Sequence, residues 1–252
     1  MDLTGQRLAL FADVHANREA LAACLAHARR EGFDRAVFLG DLVGYCADPA
    51  WVLDEIVRLV EAGAIAVLGN HDDAVVRGPQ ATMHADAAAA VLWTRDRLDD
   101  AHRGFLAGLP PTLESGEVLL VHANAWAPRR WEYLDSAEAA ARGLAATDRR
   151  VTFFGHVHEP ALYHLGAAGG VGAFTPGPGV GIPLVPRQRW LVNPGSVGQP
   201  RDGIPAACYA LYDGRRRLLE YHRVPFDADA TARRIRSAGL PARFGTRLAA
   251  GV

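Results

Sequence analysis

The sequence contains no lysine: all 27 of its basic residues are arginine. Arginine and lysine serve almost equally well on a solvated surface, so the bias reads mainly as base composition. It leaves the run Asn193-Pro194-Gly195-Ser196 without the Gly-Lys-Ser/Thr of a phosphate loop. Cysteine is scarce. Cys24, Cys46 and Cys208 are odd in number, far apart and free of Cys-x-x-Cys spacing, which argues against a disulfide framework and a thiolate metal site and predicts a reducing, cytoplasmic setting. Neither sign of charge is in excess. The formal net charge of −1 argues against a polyanion-coating surface or an electrostatic membrane binder, so any nucleic-acid contact has to be local. No apolar run approaches the roughly 18–20 residues of a membrane span, and the first residues lack the basic and apolar segments of an export signal.

What is present is a chain of 252 residues, half of them apolar, enough for one domain with a large core. Residues 7–12 form a short apolar run and predict a buried strand, followed by a helix capped by Asn17, with Leu21, Cys24, Leu25 and Ala28 on its buried face and Gly32 as its stop. The unit repeats with a strand at 36–39, a helix capped by Asp48 and opened by Pro49, and a strand at 65–68. Fully apolar strands alternating with helices predict a parallel sheet covered on both faces. Residues 79–110 are Ala-rich and predict a helical cap with Met83, Leu92, Leu98 and Phe105 as anchors. Strands are expected again at 118–121 and 151–154, with a loop and a short helix between them. The Gly- and Pro-rich stretch 166–186 predicts a long hairpin loop, flexible or packed against a partner as an oligomer contact. Strands at 190–193, 206–213 and 218–225 predict a second sheet built from the second half, and 227–252 a helical tail. The expected organisation is one domain over residues 1–252.

Five predicted strands run into residues that bind hard or borderline cations: Asp13 and His15, Asp41, Asn70, His122, and His156 with His158. Singly, Asp-x-His or Gly-Asn-His describes a turn or a satisfied polar pair. Jointly they do not, because ligands of parallel α/β sheets gather beyond the carboxyl ends of the strands. Two carboxylates, four imidazoles and one amide are too many for one ion. They suit two divalent metals about 3.5 Å apart, and a thiolate-free oxygen and nitrogen set favours Mn, Fe, Zn, Co or Ni.

In their order, Asp13-x-His15, Gly40-Asp41, Gly69-Asn70-His71-Asp72, His122 and Gly155-His156-x-His158 resemble the five-block signature of the calcineurin-like metallophosphoesterases. The run from Asn193 to Arg201 is similar to a block of small bacterial and archaeal members. The resemblance implies a four-layer αββα sandwich. It implies one metal held by Asp13, His15, Asp41 and His158, another by Asp41, Asn70, His122 and His156, and a metal-bridging hydroxide that attacks phosphorus while His71 assists the leaving group. A carboxylate such as Asp72 is expected to orient the His71 ring.

Three residues have two readings each at this stage. Asn17 is a helix cap or an active-site hydrogen-bonding group, Tyr45 packing or a phosphate contact, and Arg201 an ion pair or a phosphate contact. The function expected is a two-metal phosphoesterase, with Mn²⁺ the metal of choice in vitro, acting on a diester or monoester that is small or nucleotide-like. Alternatives are a dinucleoside-polyphosphate hydrolase, a protein serine/threonine phosphatase, or a non-catalytic scaffold of the same fold, for which decay of the site is expected.

Overall fold

A computed structural model describes residues 3–81, 83–166 and 169–252. The first half follows the expected rhythm: β1 (Arg7–Phe11), α1 (Arg18–Glu31), β2 (Arg35–Phe38), α2 (Pro49–Glu61), β3 (Ile65–Ala66) and α3 (Asn70–Arg77). β1, β2 and β3 pair in parallel, Phe11 opposite Phe38 and Val37 opposite Ile65. Asn17 caps α1 by accepting the amide of Ala20. Asp48 precedes α2 but makes no side-chain capping bond; its carboxylate faces Arg234 at 3.2 Å instead. With Pro49 at the first turn, one of the orphan donors a cap would serve is already absent. β3 ends at Ala66, and the amide of Leu68 turns away to the carbonyl of Pro110.

The middle of the chain gives α4 (Ala85–Arg95), α5 (Asp100–Gly108), β4 (Thr112–Ser115), β5 (Val118–Val121), α6 (Ala137–Ala145) and β6 (Val151–Phe153). Leu92, expected to anchor the helical segment, is half exposed; α4 is held instead through Ala87, Ala90 and Val91, and by Trp93, whose indole donates to the carbonyl of Ala238.

The stretch expected to be a loop carries structure. β7 (Pro160–Leu165) leads into it, and it contains β8 (Val171–Phe174) and β9 (Gly181–Pro183), each at the edge of a different sheet. Short edge strands tolerate the Gly and Pro that made this stretch read as loop. The chain ends with β10 (Trp190–Pro194), β11 (Ala207–Asp213), β12 (Leu218–Val224), α7 (Ala228–Ser237) and α8 (Ala242–Ala250).

The strands form two six-stranded sheets, in the orders β3-β2-β1-β11-β12-β9 and β4-β5-β6-β10-β7-β8. The second half therefore does not make its own sheet: β10 lies parallel to β6, whereas β11 crosses over to lie antiparallel to β1. Side-chain alternation explains the layers. Leu8, Leu10 and Ala12 point between the sheets, with Val37, Leu120, Phe153, Val192 and Tyr212, while Ala9 and Phe11 point under the helices beside Leu21 and Phe38. α6 covers the outer face of the other sheet through Ala140 and Leu144. The result is the expected αββα sandwich, with the carboxyl ends of β1, β2, β5 and β6 at one rim.

Candidate metal centre

The chain turns sharply at that rim. Asp13, His15, Asp41, His156 and His158 all hold positive φ, between 50° and 69°, a region that costs non-glycine residues roughly 1 kcal/mol or more each. Cross-loop hydrogen bonds hold them there: the amide of His15 donates to the carbonyl of Asp41 at 2.9 Å, and that of His156 to Oδ1 of Asp13 at 3.0 Å. Close backbone approach adds to this. A Cβ on Gly69 would lie 2.1 Å from the amide nitrogen of Asp41, so only glycine lets the β3 loop meet the β2 loop.

The turns bring the predicted donors together in two groups that share Asp41. Asp13, His15, Asp41 and His158 offer ligand atoms within 4.8 Å of one another, as do Asp41, His122 and His156. Oδ2 of Asp41 lies 3.6 Å from Nε2 of His15 and 3.4 Å from Nε2 of His122. Asn70, the first residue of α3, brings its Oδ1 to 3.0 Å from Nε2 of His122. All but Asn70 are buried.

The four imidazoles are oriented from behind. Nδ1 of His15 faces the carbonyl of Val43 (3.1 Å), Nδ1 of His122 that of Leu39 (2.7 Å), Nε2 of His156 that of Trp131 (2.9 Å) and Nδ1 of His158 that of Gln199 (2.7 Å). A carbonyl only accepts, so each of these nitrogens carries the proton and the opposite nitrogen presents a lone pair inward. Those inward nitrogens lie 3.1 Å apart in the pair His15–His158 and 3.2 Å in the pair His122–His156. Facing lone pairs around two buried carboxylates fit divalent cations.

The protonation equilibria agree. Burial lowers His156 to about 3 and holds His15 and His158 well below the usual histidine range. Burial also raises Asp13 to about 7. Burial would lower His122 as well, yet Asp41 lifts it to about 9. Without metal, a second proton at Nε2 of His122 therefore occupies the place that a bound cation would take.

Asp72 does not touch the His71 ring in the way expected. Its Oδ1 accepts the amides of Leu42 and Val43, at 2.9 and 3.2 Å, and its Oδ2 that of Gly69, at 3.0 Å; three buried N–H donors would be orphaned without it. The His71 ring instead packs 5.0 Å from His15 and 4.5 Å from Tyr45. Gly44 sits so close that a Cβ there would come within 2.6 Å of Nδ1 of His71. Asn17 spends its side chain inside the fold, on Ala20, Thr231 and the carbonyl of Gly198. The Asn193–Gln199 turn supports the site from below: Asn193 donates to the carbonyl of Gly155, and Ser196 to that of Asp13. Arg201 lies 5.9 Å from the Tyr45 ring, with Nη2 bonded to Oε1 of Gln199 at 2.9 Å.

Two residues in the loop after β5 escaped sequence reading. Trp131 orients His156 through its carbonyl, and the Tyr133 ring stacks on that of His156 at 4.3 Å. The only local signal was Asn124, whose side chain accepts the amide of Ala127 and donates to the carbonyl of Glu132, closing the loop that carries both. Beside the centre lies a cavity of about 360 Å³, whose lining includes Tyr45, Asn70, His71, Met83, Tyr133 and His156.

Residues 7–217 match the calcineurin-like phosphoesterase superfamily domain. Over 97% of its length the chain is 33% identical to an uncharacterised protein of Methanocaldococcus jannaschii, MJ0912, covering 98% of that protein. The structure is similar to that of a metallophosphoesterase from Sphaerobacter thermophilus, at a TM-score of 0.87 and 35% identity over 98% of this chain and all of that one. It shares its fold with the hypothetical protein PH1004 of Pyrococcus horikoshii OT3, at a TM-score of 0.80 and 19% identity over 98% of each chain.

Proposed function

The chain belongs to the calcineurin-like phosphoesterase superfamily, and on that premise we propose that it is a two-metal enzyme cleaving phosphodiesters or phosphomonoesters. The observation that carries this reading is the convergence of seven donors in two groups around one shared carboxylate, Asp41. One cation would be held by Asp13, His15, Asp41 and His158, and the other by Asp41, Asn70, His122 and His156. When bound, two divalent cations supply an activated water, by lowering its pKa from about 15.7 toward 7, and they neutralise charge on the phosphoryl oxygens.

The chain's own residues do the rest. His71, at the cavity wall beside Asn70, protonates the leaving oxygen. Asp72 is a positioning residue: it ties the loop carrying Asp41 to the turn carrying Asn70 and His71. Arg201 is half-buried and, among the described residues, faces no carboxylate within ion-pair distance; a substrate phosphoryl oxygen supplies its counter-charge. Residues 79–110 act as a cap and 227–252 as a tail of one domain, the tail latching the cap through Arg243, which pairs with Asp86. Mn²⁺ is the metal for the first assay.

The test is hydrolysis of bis(p-nitrophenyl) phosphate and p-nitrophenyl phosphate by protein stripped with chelator and reloaded with Mn²⁺. Metal-dependent turnover is expected, and the ratio of the two rates ranks diester against monoester. No turnover of either with two metals bound would overturn the enzyme in favour of a scaffold.

A further inference from the structure

We infer that the cavity beside the metal centre is a nucleobase pocket, with Tyr133 as its stacking platform, so that the ester processed here carries a nucleoside. This deepens the phosphoesterase reading and rests on it. Tyr133 is 53% exposed although it lies against the buried His156. One of its faces lies on His156, nearly parallel at 18°, and the cavity lies beside it.

The platform is fixed. His156 is buried and its Nε2 is held at 2.9 Å by the carbonyl of Trp131, so a ring stacked on it has a set orientation relative to the donor groups. The lining adds the other features a base requires: Met83 and Ala87 supply apolar surface, and Gln80 an amide that both donates and accepts along a base edge. Aromatic stacking accepts any base because every base has a π-face. A volume of about 360 Å³ is at the small end of ligand pockets, roughly 300–1,000 Å³. It suits one nucleoside rather than a folded phosphoprotein segment.

The experiment compares three esters with the same charge and the same p-nitrophenolate leaving group, on metal-reloaded protein: the thymidine 5′-phosphate, phenyl phosphate and methyl phosphate p-nitrophenyl diesters. The thymidine ester is expected to exceed the methyl ester by tenfold or more in kcat/KM, mainly through KM. Tyr133→Ala should bring that ratio near one, and Tyr133→Phe should keep it. Equal values for thymidine and methyl esters, or for thymidine and phenyl esters, would overturn the proposal. Calorimetric binding of thymidine 5′-phosphate to the metal-loaded protein decides the matter independently of turnover. Binding tenfold tighter than that of methyl phosphate and lost in Tyr133→Ala supports the pocket; equal binding refutes it. If none of the esters is cleaved, the phosphoesterase reading fails, and the binding comparison still judges the pocket.

Discussion

The backbone N–H of His71 donates a 2.9 Å hydrogen bond to Oδ1 of Asp41. The carboxylate shared by both ligand groups is therefore anchored to the helix that carries the proposed acid, while its Oδ2 faces His15 and His122. One side chain thus fixes the proposed shared metal ligand and the proposed acid against each other.

Asp41→Asn should lose both metals together. It removes one unit of negative charge from each group and offers an amide where two cations need an anion. Elemental analysis after dialysis is expected to fall well below two metals per chain, with activity down by ~10²-fold or more. Retention of two metals would refute the shared role.

His71→Ala should keep two metals while losing activity by ~10²–10⁴-fold toward alkyl esters. The loss should be much smaller for p-nitrophenyl esters, whose leaving group departs without a proton. A uniform loss across leaving groups would assign His71 to binding instead.

Arg201→Met should leave metal content intact and raise KM for phosphate esters by roughly 10–100-fold, the scale of one charge-assisted contact in a half-buried site. An unchanged KM would refute the phosphate contact and leave Arg201 with its bond to Gln199.

Gly69→Ala should destabilise by about 3 kcal/mol or more, because its Cβ would overlap the backbone of Asp41. Gly5→Ala, with no atom within 4 Å of the new Cβ, should stay within about 0.5 kcal/mol. Denaturant unfolding of both variants checks this, and similar values for the two would contradict the close approach.

The metal-free protein should be most stable near pH ~6.5. Burial lowers His156 from 6.5 to about 3 in the fold, and lowers His15, His158 and His71 too. Their stability is fully present above the unfolded value and lost as the pH falls. Asp13 and Asp72, raised by burial to about 7, work in the opposite sense between 3.8 and 7 but are outnumbered. His122, lifted to about 9 by Asp41 against the effect of burial, contributes stability fully below 6.5 that is lost as the pH rises through 9. Bound metal displaces these protons, so Mn²⁺ should flatten the alkaline fall. Thermal unfolding with and without metal from about pH 4 to 10 measures it, and identical profiles would count against the site.

How much of this was legible follows from the range of each interaction. The sequence by itself determined the parallel β1–β3 unit, since short, fully apolar runs and a capped helix are local. It also picked out the seven candidate donors that the fold brings together, because residue type limits which side chains can bind a hard or borderline cation and a strand end limits where they can be. Only the tertiary structure decided that β10 and β11 part to opposite sheets, because strand partnership is settled by contacts up to about 200 residues apart. It likewise converted the 166–186 stretch into two edge strands, and it assigned Asp72 to three backbone amides rather than to a ring. Tyr133 and Trp131 lay beyond sequence reading for the same reason: what they do depends on the carbonyl and ring they turn toward His156, and no local pattern encodes where another loop's histidine will be.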